Sequence, residues 1–475
     1  MTTTRVDVAG LEGGRVGLSS DQLADLGSRI GGPVLQEGDK GWSDAVRIWN
    51  AMMAKTPALV VQPTSADDVA AAVQFARHHG VLVGVKGGGH NIAGTSIAEG
   101  GLTLDMVRMR EVVVDPDRMR VHVGPGCLLK DVDGATQEHG LATVLGFVSE
   151  TGVAGLTLGG GWGYLTRRFG STVDNLDEVE IVTADADIRM ANRDKDADLF
   201  WAVRGGGGNF GVVTRFTFRL HHVGPIVTGG LIAWSAERAD EVLAAYRDLT
   251  ESAPRELTAA AIVRLAPPAP FVPEEWHGKP IIALQLCHSG ANAASDLAAV
   301  RALGEPIADV IADKPYTAQQ SMLDAMEPKG VQRYWKTEFL PGLSGEFLDA
   351  FREGALGVRS PLSQSVIFHL GGALNDRDDD DGAIGNRDAR YIAGFSGTWP
   401  PATPPEPHVT WVRGSWERIR RFSTGGNYVN FQLADDDHDR TADAYRNNYR
   451  RLQRIKAQYD PGNLFRVNRN IPPAA

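Results

Sequence analysis

The chain has 475 residues, and 48 lysines and arginines stand against 59 aspartates and glutamates, which gives a formal net charge of −11. A near-average composition, with 43% hydrophobic and 23% charged residues, excludes a disordered, collagen-like or coiled-coil chain. The acidic balance argues against a nucleic-acid partner, because such binding depends on clustered basic side chains.

Neither the cysteines nor the chain start indicates a metal site or a membrane anchor. Cys127 and Cys287 are far apart and lack C-x-x-C spacing, so no zinc site or disulfide framework is predicted. The acidic run at 376–381 lacks the spacing of a calcium loop, which favours a solvated loop. The start lacks an apolar signal-peptide core, and no apolar run reaches roughly 18 residues. We therefore expect a cytoplasmic protein without a metal or a membrane partner.

Helices and strands alternate in the first half of the chain. Residues 1–52 resemble a leader with one helix over 20–30, and the sequence does not reveal their function. A helix is predicted to follow Ser65, a good N-cap, and to end at Gly80. The later predicted elements are a buried strand over 81–85 ending at glycines 87–89, a hairpin over 111–123, a helix over 128–139, a glycine-rich region over 146–163, strands over 178–183 and 212–220, a helix over 198–203 and a third glycine cluster at 205–208.

The composition shifts after Pro225, where strands alternate with helices and proline-rich loops. The predicted elements there are strands over 227–234, 279–287 and 365–370, and a helix over 237–252. From Tyr428 onward we predict a strand, then a helix over 440–458 that ends at 460–462. The pattern predicts an α+β fold in four segments, which span 1–52, 53–225, 226–420 and 421–475.

Three glycine clusters in one segment are more than turns require, although each cluster alone is compatible with a plain turn. Glycine allows a backbone to approach a ligand closely and leaves N–H groups free to hold an anion such as a pyrophosphate. The G-x-G-x-x-G at 206–211 follows a predicted helix and precedes a strand, the reverse of the dinucleotide-binding arrangement. A nicotinamide-type site is therefore not predicted.

Several longer motifs occur in a fixed order along the chain. They are Lys-Gly-Gly-Gly-His-Asn at 86–91, Gly-Val-Ala-Gly-Leu-Thr-Leu-Gly-Gly-Gly-Trp-Gly at 152–163, Asp-Asn-Leu at 174–176, the run 199–214, and, near the end, Asn-Tyr-Val-Asn-Phe at 427–431 and Tyr-Asp-Pro-Gly-Asn-Leu-Phe at 459–465. Together they resemble the berberine-bridge-enzyme-like oxidases, flavoproteins of the vanillyl-alcohol-oxidase superfamily. The middle of the chain matches only weakly.

The resemblance implies a fold for each segment. Residues 53–225 would form a PCMH-type FAD-binding domain of two small α+β subdomains. Residues 226–420 would form a substrate domain, an antiparallel sheet covered by helices, and residues 421–475 would return to the FAD domain.

The resemblance also implies that His90 carries a covalent bond to the 8α-methyl carbon of FAD. Such a bond retains the cofactor and makes its ring system a better electron acceptor. The residues implied to bind the cofactor are Lys86, Gly87, Gly88, Gly89, His90, Asn91, Gly94, Thr151, Gly152, Gly155, Gly159, Gly160, Gly163, Tyr164, Val212, Val213, Tyr428, Asn430 and Asn463.

Two positions depart from the family pattern. Many members add a second flavin link through a cysteine, and Val148 stands at that position here, so a single histidyl link is expected. Plant members often place a tyrosine base at the position of Phe431, whose phenyl ring cannot accept a proton. Candidates for the base are Tyr428 and His369, although a lone histidine on an apolar strand is more often structural.

The resemblance implies an FAD-dependent oxidase that takes a hydride from a C–H next to nitrogen or oxygen of a small molecule to flavin N5. Molecular oxygen would then reoxidise the flavin and give hydrogen peroxide. The expected substrates, in order, are a small amine or alkaloid-like heterocycle, a secondary-metabolite alcohol, and a sugar. The alternatives are a dehydrogenase with another acceptor and a flavin-loaded protein that binds a ligand without turnover.

Overall fold

The computed structural model of the chain describes residues 5–436 and 438–474. The strands in this range are β1 (Arg5–Ala9), β2 (Arg15–Ser19), β3 (Val34–Leu35), β4 (Leu59–Val61), β5 (Val83–Lys86), β6 (Leu102–Asp105), β7 (Val112–Asp115), β8 (Arg120–Val123), β9 (Leu141–Ala142), β10 (Leu176–Val182), β11 (Ile188–Asn192), β12 (Val212–Arg219), β13 (His221–His222), β14 (Ile226–Ser235), β15 (Leu257–Leu265), β16 (Pro280–His288), β17 (Ala308–Asp309), β18 (Ala312–Pro315), β19 (Gln332–Leu340), β20 (Gln364–His369) and β21 (Tyr391–Trp399).

The α-helices in the same range are α1 (Ser20–Arg29), α2 (Trp42–Val46), α3 (Ala66–His79), α4 (Leu129–Gln137), α5 (Val153–Leu158), α6 (Thr166–Phe169), α7 (Ala197–Val203), α8 (Ala239–Ser252), α9 (Ala293–Asp296), α10 (Ala298–Arg301), α11 (Tyr316–Gln320), α12 (Gly345–Ala355), α13 (Glu406–Arg420), α14 (His438–Tyr445) and α15 (Tyr449–Tyr459). The predicted α+β class is confirmed. None of these helices has the length and apolar composition needed to cross a bilayer.

Two larger sheets build most of the first half of the molecule, beside the two-stranded sheets β1-β2 and β13-β9. The first has the order β3-β4-β6-β5, and α3 packs on it. The predicted caps of α3 are present, because the Ser65 hydroxyl accepts a hydrogen bond from the N–H of Asp68 at 3.2 Å and Gly80 ends the helix at a φ of 62°. The second sheet is antiparallel, in the order β11-β10-β12-β8-β7, and packs against α7 and α15.

One large antiparallel sheet builds the second half. Its strand order is β17-β14-β16-β15-β20-β21-β19, and β18 pairs with β14 outside this path. Helices α8, α12 and α13 cover one face with a large apolar core. Side chains alternate between the two faces of a strand, so the opposite face stays free to meet the first half. That uncovered face forms one wall of the site.

The N-terminal segment, predicted as a leader, is built into the first sheet. Strand β3 pairs antiparallel with β4, and the hairpin β1–β2 is tied to the sheet where the N–H of Leu82 donates to the carbonyl of Ala9 at 2.9 Å. The segment ends near Trp49, whose ring lies against His90. Pairing between distant segments gives no local sequence signal, which is why the sequence did not reveal it.

Two predicted elements near the C-terminus are wrong. The expected strand from Tyr428 is a single 3-10 turn over Val429–Phe431. The expected continuous helix over 440–458 is divided into α14 and α15, because Arg446 adopts a positive φ of 47° between them. The C-terminal residues still return to the first half, where the Asn209 side chain exchanges hydrogen bonds with the backbones of Arg469 and Ile471.

Candidate active site

A cavity of about 310 Å³ lies between the glycine loops of the first half and the open face of the large sheet. It extends from the backbone around Gly207 to the aromatic side chains of the large sheet. The predicted cofactor residues that line it are Gly87, Gly88, Gly89, His90, Asn91, Thr151, Gly152, Gly155, Gly159, Val212, Val213, Tyr428 and Asn430. The structure thus brings together residues from distant parts of the chain around one space.

The other predicted cofactor residues lie outside this cavity. They are Gly160, which lines a neighbouring cavity of about 50 Å³, and Lys86, Gly94, Gly163, Tyr164 and Asn463, which line neither. The buried Lys86 ammonium donates to the carbonyl of Ala45 at 2.6 Å and pairs with Asp105 at 3.5 Å. The Tyr164 hydroxyl accepts a hydrogen bond from Gln285. These contacts give Lys86 and Tyr164 structural partners away from the cavity.

His90 follows the glycine cluster at the end of β5 and stacks on Trp49, with ring centroids 4.1 Å apart. Its Nε2 atom is buried and has no hydrogen-bond partner among the described residues. Burial, reinforced by the positive charges of Arg333 and Lys329, lowers the pKa of His90 to about 3. The imidazole is therefore neutral near pH 7 and keeps a nitrogen lone pair for bonding.

The loop around His90 is suited to hold an anion. The backbone N–H groups of Gly88, Gly89 and Asn91 donate no hydrogen bond to any residue in the described part of the chain. Arg469 also lines the cavity, and its buried Nη2 atom has no partner within the described ranges. Free N–H groups and an unpartnered guanidinium nitrogen fit the pyrophosphate of a dinucleotide. The donor set therefore fits FAD.

Aromatic side chains form the wall of the cavity on the side of the large sheet. Phe147 stacks on Phe368 with centroids 5.0 Å apart, and Trp162 meets Phe368 edge-on at 4.9 Å. Trp335 meets Phe431 edge-on at 5.1 Å. Such a wall excludes water and suits a flat, largely apolar substrate.

Tyr428 lies in the cavity as a hydrogen-bonded phenol. Its hydroxyl oxygen accepts hydrogen bonds from the N–H of Gly161 at 3.2 Å and from the Asn430 amide at 3.0 Å. Burial raises the pKa of Tyr428 to about 12, although both hydrogen bonds oppose the shift. The phenol therefore holds its proton at neutral pH and can donate it to a ligand.

His369, the other candidate base, does not line the cavity. It lies on β20 one residue after Phe368, so alternation places it on the helix-covered face. There it stacks on Tyr391 and its Nε2 lies 2.7 Å from Arg167 Nη1. Burial and the neighbouring arginines lower its pKa to about 2. Its ring contacts in the structure are therefore with Arg167 and Tyr391, outside the cavity.

Several residues of the cavity wall escaped the sequence prediction of the site, and four of them carry polar or aromatic side chains that matter below. They are Trp49, Glu327, Gln364 and Arg469. Trp49 and Arg469 belong to terminal segments whose contacts are all long-range. Glu327 stands in a Met-Glu-Pro-Lys-Gly loop, where a single acidic residue normally indicates a solvated turn. A tryptophan in the N-terminal segment and a single glutamate before a proline are weak sequence signals of a functional site.

The two cysteines are buried, and the acidic run at 376–381 is paired with arginines. Val148 lines the cavity, whereas Cys127 and Cys287 do not, and burial raises the pKa of both thiols to about 12. In the acidic run, Asp376 pairs with Arg255, and several arginines surround Asp381. Residues 5–436 and 438–474 contain no cluster of three or more metal-ligating side chains.

The sequence matches two family models. Residues 57–192 match the FAD binding domain, and residues 427–472 match the berberine and berberine-like domain. Both matches fall on the parts of the chain that surround His90 and Tyr428. The chain is an FAD-linked oxidoreductase with a berberine-bridge-like architecture, and the family resemblance is confirmed.

Individual relatives cover nearly the whole chain. An FAD-linked oxidoreductase of Dictyostelium discoideum is 28% identical over 452 residues, 94% of this chain and 95% of that protein. (R)-6-hydroxynicotine oxidase of Paenarthrobacter nicotinovorans is 28% identical over 466 residues, 94% and 97% of the two chains. The crystal structure of 6-hydroxy-D-nicotine oxidase from Arthrobacter nicotinovorans matches with a TM-score of 0.82 at 27% identity, covering 94% and 98%.

Proposed function

We propose that this protein is an FAD-dependent oxidase of small molecules, with FAD attached through a single bond to His90. The observation that carries the proposal is the neutral imidazole of His90. It stands with an unpartnered nitrogen at the junction of the glycine loops and the aromatic wall. The enzyme class of the relatives supports the same assignment.

Each part of the cavity has a task in this proposal. The free N–H groups at 88–91 and Arg469 would hold the pyrophosphate, and His90 would tether the ring. The bound flavin would accept a hydride at N5 from a C–H next to nitrogen or oxygen, and O2 would take the two electrons and yield hydrogen peroxide. The aromatic wall would exclude water from the substrate, and Tyr428 would hold a proton toward it. Val148 leaves no cysteine for a second link.

The cavity wall also ranks the substrates. The aromatic wall, which includes Phe147, Trp162 and Phe368, favours a flat, largely apolar substrate such as an alkaloid-like heterocycle over a sugar. The 28% identical relative that is named a hydroxynicotine oxidase supports this order. Thr151 lines the cavity with a small side chain that permits oxygen to approach.

The covalent bond is tested on acid-precipitated protein. We expect the wild-type pellet to stay yellow, with an intact mass increased by one FAD, and His90→Ala to release all flavin into the supernatant. His139→Ala, which removes an exposed histidine, is the matched control and should behave as wild type. Flavin that leaves the wild-type pellet would disprove the attachment.

Turnover is tested with a panel of amines, alcohols and sugars. We expect at least one amine to bleach the flavin without oxygen and to consume oxygen with formation of peroxide in air. Bleaching without oxygen consumption would identify a dehydrogenase instead. A flavin that no panel member reduces would favour a ligand-binding protein without turnover.

A further inference from the structure

One ionisable side chain of the cavity wall has no part in holding the cofactor. Glu327 precedes β19 and lines the same cavity as His90. Its side chain is only 9% exposed. The Oε2 atom is buried and has no hydrogen-bond partner within the described ranges. A buried carboxylate in a cavity wall is costly to maintain, so its presence there points to a role toward a ligand.

The polar neighbours of the Glu327 side chain are Gln364 and Arg333. Gln364 donates from its Nε2 to the other oxygen, Oε1, at 3.5 Å. Arg333 Nε lies 3.5 Å from Oε2 but without hydrogen-bond geometry. The guanidinium of Arg333 is held by backbone carbonyls, because Nη1 donates to Trp49 at 3.1 Å and Nη2 to Pro328 at 2.6 Å. Arg333 is thus fixed beside the carboxylate as its ion-pair partner.

The charges around Glu327 place its protonation change near neutrality. Arg333 on β19 and Arg264 on β15 favour the ionised carboxylate, and burial opposes them more strongly, which raises its pKa to about 7. Lys329 in the same loop is exposed, and His90 beyond Trp49 is neutral. A group that changes charge near the working pH is suited to receive and return protons.

We propose that Glu327 is the proton acceptor of the oxidation, an assignment that rests on the proposed function. Conversion of an amine or alcohol into an imine or carbonyl breaks two bonds. The C–H hydrogen leaves as hydride with both electrons to the flavin, and the N–H or O–H proton moves to the carboxylate of Glu327. The carboxylate becomes a carboxylic acid and returns the proton to water once the product has left.

No candidate base from the sequence can take this role. Phe431 has no proton-accepting group, Tyr428 keeps its proton, and His369 lies on the other face of β20. Glu327 combines an ionisable carboxylate with a place in the cavity wall. The geometry assigns to Glu327 the role of the base, which Phe431 cannot fill.

The first measurement is an infrared pH titration of the holoprotein between pH 5 and 9. Glu327 should give a carboxylic acid band that disappears with a midpoint near pH 7 and is absent from Glu327→Gln. Asp133 is the matched control, because burial also raises its pKa to about 7 while it lies outside the cavity lining. Its band should be absent from Asp133→Asn and present in Glu327→Gln.

The second measurement is the rate of flavin reduction without oxygen, taken by rapid mixing with the panel compound that bleaches the flavin. In wild type and Asp133→Asn the rate should rise with pH through about 7, because the ionised carboxylate is the active form. In Glu327→Gln the rate should fall about 10²- to 10⁴-fold and lose this pH dependence.

Each outcome decides the assignment. A wild-type rate and pH profile in Glu327→Gln would overturn it, as would a carboxylic acid band that persists in that variant or is absent from wild type. A band that is lost without a change in rate would leave Glu327 a structural residue. If no panel compound reduces the wild-type flavin, the proposed function itself fails. If a compound reduces the flavin of wild type and of Glu327→Gln at the same rate, only the role of Glu327 is refuted.

Discussion

A buried ion pair joins the two halves of the molecule beside the site, and its removal should be costly. Arg387, in the loop between β20 and β21, forms a two-pronged contact with Asp174, at 2.9 Å and 2.7 Å. The two side chains are 2% and 0% exposed. The same carboxylate accepts hydrogen bonds from the N–H and hydroxyl of Ser171. We expect Arg387→Ala to destabilise the protein by about 3–5 kcal/mol, because it leaves a buried carboxylate without its countercharge.

This cost converts into a measurable shift. The unfolding entropy of a chain of 475 residues is about 1 kcal/mol per kelvin at roughly 2 cal/mol/K per residue. The melting temperature of the holoprotein should therefore fall by about 3–5 °C in Arg387→Ala. Circular dichroism and flavin fluorescence, followed together, check that both halves unfold in one transition.

Two controls separate the ion pair from general damage. Arg418→Ala breaks an exposed pair with Glu353, whose side chains are 55% and 56% exposed, and should shift the melting temperature by less than about 1 °C. Asp174→Ala combined with Arg387→Ala removes both charges and should be more stable than Arg387→Ala alone. A shift in Arg387→Ala no larger than that in Arg418→Ala would refute the reasoning.

Two further predictions concern pH and the glycine loops. The pKa of Asp133 is raised by burial from 3.8 to about 7, so the folded state binds its proton more tightly and stability falls as pH rises between about 4 and 7. Between pH 5 and pH 8 the free energy of unfolding, measured by denaturant titration, should fall by on the order of 3 kcal/mol less in Asp133→Asn than in wild type. Equal falls in the two proteins would contradict this prediction. Gly88→Ala should retain less flavin than Gly134→Ala, because a Cβ at 88 would lie 2.6 Å from Gly152, whereas one at 134, outside the cavity, meets nothing within 4 Å. Flavin absorbance per protein measures the difference, and equal loading of the two variants would contradict it.

Local signals in the sequence predicted the local structure well. Ser65 and Gly80 marked the ends of α3 because an N-cap side chain and a left-handed glycine act within one helical turn. The hairpin of β7 and β8 followed from its alternation and its Asp-Pro-Asp turn. The run from Tyr428 failed for the converse reason. Its alternation is typical of a strand, but Tyr428 and Asn430 are bound by the glycine loops more than 250 residues away, which curl the segment into a turn.

The cofactor side of the site was predictable and the substrate side was not. The glycine loops and His90 lie together in short motifs that a family shares, and most of them line the cavity. Trp49, Glu327 and Gln364 meet only because the first sheet packs against the open face of the large sheet. These residues are too far apart in the sequence for a local pattern to predict their contact. Alternation along β20 decides which of Phe368 and His369 faces the cavity, and the sequence does not state which face that is.

Burial alone does not identify a catalytic carboxyl in this fold. Asp133 and Glu327 both have a pKa raised to about 7 by burial, and each keeps one oxygen without a hydrogen-bond partner in the described part of the chain. Asp133 lies outside the cavity lining, next to Gln320, so its unpartnered oxygen meets no substrate. Glu327 lines the cavity. If access to the cavity, and not the pKa, determines function, Asp133→Asn and Glu327→Gln will each lose one carboxylic acid band. Only Glu327→Gln will then slow flavin reduction.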